Sequence, residues 1–204
     1  MKLFYSPGAC SLAAHIALRE AGITPELVHV NIREKRYGDG LDYWQIHPQG
    51  YVPALQLKNG DILTEGPAIL QYIADQAPAA NLAPANGSFA RYKLQASLNF
   101  IATELHKNFT PFFTGLTEQE RPKAEQRLHY RLAQMDKALG DQPYLLAHYS
   151  VADIYLFVVL GWANLVNIDL SHYAALSAFL ARVAARPAVQ ASLMAEGLLT
   201  STAN

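Results

Sequence analysis

The chain has one cysteine, Cys10, in 204 residues. One thiol cannot form an internal disulfide and is too few for a zinc site built on thiolates. Seven histidines are present, but none pairs with another at ligand spacing, so no metal is expected. Charge is also scarce: 16% of residues are charged, against roughly 25% in an average soluble domain. With 51% hydrophobic residues, this excludes a disordered chain. Basic and acidic residues balance at 16 and 17, and the lysines and arginines are scattered, which argues against a nucleic-acid partner. The longest uncharged apolar run is Ile154 to Ile168, short of the about 18 residues a spanning helix needs, so it reads as a buried helix. The segment Met1–Tyr5 meets Ser6-Pro7-Gly8 too soon to be the apolar core of a signal peptide. The expectation is a reduced, soluble, cytoplasmic protein with no membrane partner.

At about 100–200 residues per domain, the length allows one large domain or two small ones. Lys2 to Tyr5 is a short strand ending at a Pro-Gly turn. Leu12, Ile16 and the flanking alanines then have helical spacing, stopped by Gly22. Leu27, Val28 and Val30 suggest a second strand. Val52 to Leu57, Asn59-Gly60 and Ile62-Leu63 read as a hairpin whose Asn-Gly supplies the two positive φ angles of a tight turn. Gly66-Pro67 opens a helix through Ile69, Leu70 and Ile73. The order is strand, helix, strand, short helix, hairpin, helix. Ala77 to Ser88 carries no charge and reads as a boundary. Beyond it, Leu94, Leu98, Ile101, Leu105 and Phe109 line one face of a long helix. Leu128, Leu132, Met135 and Leu139 line the next. Ser150 and Asp153 form a capping box at the start of a helix that is apolar on all sides, as a bundle's central helix is. The prediction is an α/β domain at 1–80, a linker at 81–88 and an all-α domain at 89–204.

Cys10 falls at the start of the first helix. Free N–H groups and the positive helix end there favour a thiolate, lowering a pKa of about 8.5 in free cysteine; the plain alternative is a small buried hydrophobe. Tyr5 and Ser11 share that end of the strand, or are simply packed there. Val52-Pro53 reads equally as a trans edge proline or as a cis turn that opens the backbone of Val52 to a peptide ligand. In Thr64-Glu65-Gly66-Pro67, a helix N-terminus suits a carboxylate and Glu65 an adjacent ammonium, together a receptor for an amino-acid end. It is equally an ordinary helix start. Asn99, Thr103 and His106, at i, i+4 and i+7, form a polar stripe that either lines a cleft between domains or is solvated surface. Glu104 lies on the opposite flank and Lys107 on the outer face, both within reach of a partner chain.

Taken together, MKLFYSPGACSLAAHIALREAG, GYVPALQL, LTEGPAILQYIAD, LNFIATELHKNFTP and SVADIYLFVVLGW resemble, in order and spacing, the bacterial beta-class cytosolic glutathione transferases over essentially the whole chain. The resemblance implies a thioredoxin-like N-terminal domain, a helical C-terminal domain lining the electrophile site, a homodimer, and a glutathione site in the cleft between domains. Glutathione is then a co-substrate and no tightly bound cofactor is implied. By position, Cys10 stands beside the glutathione sulfur and Lys35 near its glycyl end. Val52 pairs with the cysteinyl unit, and Glu65 and Gly66 hold the γ-glutamyl end. Asn99, Thr103, Glu104, Leu105, His106 and Lys107 complete the site. Tyr5 matches the sulfur activator of other classes, a role the beta class does not share in the same way. A family cysteine before the capping box is replaced by Leu145-Leu146-Ala147, which excludes an internal dithiol mechanism.

The activity implied is attack of a glutathione thiolate, aided by Cys10 and His106, on a small hydrophobic electrophile in detoxification or catabolism. Its rivals are thiol–disulfide exchange or dehalogenation through a mixed disulfide at Cys10, and a non-catalytic binding or interaction module. Phe109, Phe112, Phe113 and Trp162 are candidates for the electrophile pocket, or for core.

Overall fold

A computed structural model describes residues 1–199, which divide into two compact units: Met1–Ala83 together with the described residues from Arg186 to Leu199, and Pro84–Ala185. The first unit contains the strands β1 (Lys2–Tyr5), β2 (Glu26–Asn31), β3 (Arg36–Tyr37), β4 (Leu41–Asp42), β5 (Ala54–Gln56) and β6 (Ile62–Leu63). They form one sheet in the order β4-β3-β2-β1-β5-β6. β1 is parallel to β2, with Leu3 opposite Leu27, and antiparallel to β5, with Leu3 opposite Leu55. A parallel pair needs a crossover, and α1 (Ser11–Glu20) provides it. Leu3 and Phe4 are both buried although they point to opposite faces, as expected of a central strand covered on both sides. Phe4, Val30, Tyr43, Val52 and Ala54 form a core cluster, with Val28, Tyr37 and Ile62 packed against it.

The short β3–β4 hairpin is absent from the sequence reading, because two-residue strands leave no period to detect. The β5–β6 hairpin is present, but its turn differs from expectation. Of Asn59 and Gly60 only Gly60 has a positive φ, at +94°. The connection runs from Leu57 to Asp61, with the Leu57 N–H donating to the Asp61 carbonyl (2.8 Å). Five residues relieve the tight two-residue geometry that would need both angles positive.

Residues 11 to 18 of α1 are all buried. Besides β1, the helix packs against α2 (Gly66–Gln76) and α8 (Pro187–Ala195). α8 therefore groups with the first unit, whereas the sequence reading places all of 89–204 in the helical domain. The physical reason is α1 itself, which is buried on every face over residues 11 to 18 and needs a second cover. Arg186 fixes the start of that cover through two bonds to the Glu20 carboxylate, at 2.6 and 2.9 Å.

The second unit is helical: α3 (Phe89–Phe100), α4 (Lys107–Thr114), α5 (Arg121–Leu139), α6 (Val151–Leu165) and α7 (Ala174–Ala184). Twelve of the fifteen α6 residues are buried; each large aliphatic or aromatic side chain so buried contributes about 1.5–3 kcal/mol. Its start is the capping box read from the sequence. The Asp153 carboxylate accepts from the Ser150 N–H, the Ser150 hydroxyl and the Leu145 N–H, each at 2.8 Å. No helix among the described residues is long and apolar enough to cross a membrane. The long helix expected from the sequence is interrupted. Between α3 and α4, residues Ile101–His106 form a π turn. The buried positions Leu94, Leu98, Ile101, Leu105 and Phe109 are nonetheless those expected.

Candidate functional site

In the first unit, a local network sets Cys10 at the N-cap of α1. Gly8 takes a φ of +71°, a turn that favours glycine. The Ser11 hydroxyl then donates to the Ser6 carbonyl (3.2 Å) and accepts the Ser6 N–H (3.1 Å), closing the loop around the half-buried thiol. Cys10 Sγ donates to the Val52 carbonyl at 3.1 Å. The Val52–Pro53 bond, which the sequence left open, is cis. The buried Tyr43 hydroxyl donates to the Tyr51 carbonyl (2.8 Å), and burial above all, with a smaller electrostatic contribution from Cys10, raises its pKa and keeps it a neutral donor.

Lys35 reaches the same stretch from the other side. The Asn31 side-chain oxygen accepts the N–H groups of Arg33 and Glu34, leading the chain to Lys35 with a φ of +55°. Its Nζ donates to the Gly50 carbonyl (2.8 Å) and lies 5.7 and 5.8 Å from the ring centres of Trp44 and Tyr51. A Cβ on Gly50 would stand 2.9 Å from Lys35 Cδ, so glycine makes this approach possible. Glu65, exposed and with a φ of +67°, precedes Gly66 at the N-terminus of α2. Tyr5 packs against the rings of His15 and His29. Burial and the negative charge of Glu196 raise its pKa, so nothing there favours a phenolate.

In the second unit, Asn99 and Thr103 are exposed, whereas His106, at the end of the π turn, is half-buried. After the π turn its ring lies edge-on to Trp162, with centroids 4.7 Å apart. His106 Nδ1 is 2.7 Å from the Tyr155 hydroxyl. Burial, helped by the positive charge of Lys107, lowers its pKa to about 4, so the imidazole is neutral near pH 7. Lys107 is exposed and Leu105 is wholly in the core, which leaves only its backbone to meet a ligand. Glu104, on the flank expected to face a partner chain, pairs with Arg131 of α5 at 2.6 Å. Of the aromatic candidates, Phe109 is core, while the half-exposed Phe113 meets Trp162 edge-on at 5.7 Å.

Two groups escaped the sequence reading. Tyr155 sits inside an apolar run, where nothing separates it from core. The other is the pair His15–Glu196, both side chains fully buried, with Nδ1 2.9 Å from Oε1. Glu196 also accepts the Gly8 N–H (3.0 Å), and Arg19 donates to His15 Nε2 (3.1 Å). These partners lie 181 residues apart in sequence, and no local pattern links them. No group of three or more His, Cys, Asp or Glu residues able to hold a metal ion occurs among the described residues.

Family models for the glutathione S-transferase N-terminal and C-terminal domains match residues 8–76 and 100–187. Glutathione S-transferase GstA of Escherichia coli O157:H7 is 48% identical over 200 residues, covering 97% of this chain and all of that protein. Among solved structures, the bacterial beta-class glutathione S-transferase of Sphingomonas chungbukensis is similar with a TM-score of 0.94 and 49% identity, covering 98% of this chain and 100% of its own. A sphingomonad glutathione S-transferase complexed with glutathione has a TM-score of 0.93, 49% identity and the same coverage.

Proposed function

Because the chain belongs to the glutathione S-transferase family, alongside its bacterial beta-class members, we propose that it joins the sulfur of glutathione to the electrophilic carbon of a small hydrophobic compound. The observation that carries this reading is the 3.1 Å contact of Cys10 Sγ with the Val52 carbonyl. It sets a thiol at a helix N-terminus beside a backbone segment suited to an extended peptide. A similar sphingomonad protein complexed with glutathione supports the tripeptide as co-substrate.

In this scheme the cysteinyl unit pairs with the backbone of Val52. Lys35, held over Trp44 and Tyr51, meets the glycyl carboxylate. The N-terminus of α2 at Gly66 takes the γ-glutamyl carboxylate, and Glu65 its ammonium. Asn99, Thr103, Glu104 and Lys107 are peripheral contributors, and Leu105 acts through its backbone alone. Cys10, whose S–H turns from the Val52 carbonyl to the incoming sulfur, and the neutral His106 donate hydrogen bonds to the glutathione sulfur. They favour its thiolate, with the proton passing to solvent, and hold it in place. The sulfur lone pair then forms the carbon–sulfur bond as the leaving group departs with its electron pair. Tyr5, a neutral phenol set against His15 and His29, takes no proton in this scheme. The reading includes a homodimer, for which Tyr51 (62% exposed) and Phe89 (75% exposed) offer apolar contact surface. It also includes a reducing, cytoplasmic setting suited to a free cysteine.

Conjugation of glutathione to chlorodinitrobenzene, measured for the wild type beside Cys10→Ala, tests the reading. The wild type is expected to conjugate, and the variant to lose no more than about tenfold, the effect of one hydrogen bond. A wild type that conjugates nothing, yet reduces a glutathione mixed disulfide only with Cys10 intact, would replace this reading with thiol exchange.

A further inference from the structure

We propose that Tyr155 is a positioning residue that fixes the tautomer of His106, keeping Nδ1 as hydrogen-bond acceptor and leaving Nε2–H as the ring's only donor. The inference rests on the reading above for its catalytic consequence, though not for its structural one. A neutral imidazole has one proton for two nitrogens, and the partner of one nitrogen decides where it sits. Here that partner is a phenol at 2.7 Å. The hydroxyl hydrogen can rotate to suit, and a phenol O–H is a better donor, and a neutral imidazole nitrogen a better acceptor, than the reverse pairing offers. The phenol therefore donates, Nδ1 stays bare, and the proton resides on Nε2.

Three features keep the arrangement in place. Tyr155 is 3% exposed, in the first turns of a helix anchored by the Ser150–Asp153 capping box. Trp162, two turns further along α6, stands edge-on to the imidazole at an interplanar angle of 74° and restrains the ring against a flip. Burial holds His106 neutral, so a second proton does not erase the distinction between the nitrogens. The π turn aims His106 at α6 in the first place, and such turns recur at functional sites. A single hydroxyl on α6 thus determines which edge of the histidine can serve the glutathione sulfur.

Nitrogen-15 NMR of the full protein with labelled histidine reads the tautomer directly, with His106 assigned by comparison with His106→Gln. The wild type is expected to show a bare, pyridine-like Nδ1 and a protonated Nε2, and Tyr155→Phe a mixture of both tautomers. In the same variant kcat for conjugation is expected to fall about tenfold, with the KM for glutathione within about twofold. A protonated Nδ1 in the wild type, or a tautomer unchanged by Tyr155→Phe, would overturn the proposal. A tautomer shift with unchanged kcat would overturn its catalytic part. Full conjugation by His106→Ala would instead remove His106 from the mechanism, while the NMR result still decides the tautomer.

Discussion

Glu196→Ala is expected to destabilise the protein by about 3 kcal/mol or more, although the residue lies more than 180 positions from Cys10. Its carboxylate accepts two N–H groups, from His15 Nδ1 and from Gly8, and its side chain is fully buried with that of His15. Hydrogen bonds to charged groups are worth about 1.5–3 kcal/mol each, and a buried donor left without its acceptor keeps the full cost of desolvation. For a chain of this size, a loss of that order lowers Tm by about 6–12 °C. Glu196→Gln retains one acceptor oxygen but turns an N–H toward a donor, so it rescues at most half of the loss. Thermal and denaturant unfolding of both variants checks this. A change under about 0.5 kcal/mol, typical of a surface substitution, would mean that the buried pair does not tie the C-terminal segment to the turn before Cys10. The expected second effect is on Cys10 itself: the Gly8 N–H that Glu196 holds lies two residues from the thiol, so alkylation of Cys10 should change in rate in the same variants.

The largest expected loss of activity is that of His106→Ala, about a hundredfold in kcat/KM for conjugation. That magnitude is the cost of removing one preorganised donor to a developing or resident anion in a buried site. A binding residue would show its effect in KM for glutathione; a donor to the reacting sulfur shows it mainly in kcat. His106→Gln, whose amide also offers an N–H, is expected to recover part of the rate. The pH profile carries a further mark. An ordinary histidine titrates near 6.5, but burial and Lys107 place this one at about 4. Since the lowered pKa leaves the ring neutral at every pH above that value, the wild-type rate should show no inflection near 6.5 attributable to this residue. Steady-state kinetics of the three proteins from pH 5 to 8 measures both marks. Equal rates for wild type and His106→Ala would remove the residue from the mechanism.

The two-part fold is legible in the sequence because its signals are local. Helical spacing with a glycine stop, an Asn-Gly hairpin, a Ser–Asp capping box and an unbroken apolar helix each lie within about twenty residues. The candidate site is legible only where it rests on such signals: Cys10 after a Pro-Gly turn, Val52 before a proline, Glu65-Gly66 at a helix start. The remaining features depend on geometry that residue spacing does not encode. The π turn has the same buried positions as an α-helix would, so periodicity cannot reveal it, nor that His106 at its end meets Tyr155 and Trp162. α8 is amphipathic only weakly, and its place with the first unit is set by Glu20, His15 and Gly8, all far away in the chain. The pairing of Glu104 with Arg131 of α5 at 2.6 Å joins separate elements, so no spacing along one helix encodes it.

The proposed chemistry requires this chain's own groups to convert bound glutathione to its thiolate near neutral pH. Thiolates absorb in the ultraviolet where thiols do not, so a difference titration of the glutathione complex against free protein and free glutathione tracks the ionisation directly. Cys10→Ala serves as the background, because it contributes no protein thiol. Bound glutathione is expected to ionise at least one pH unit below the value of about 8.5 for a free thiol, and His106→Ala to raise it toward that value. A bound thiol that titrates like free glutathione in both proteins would contradict the proposed activation of the sulfur.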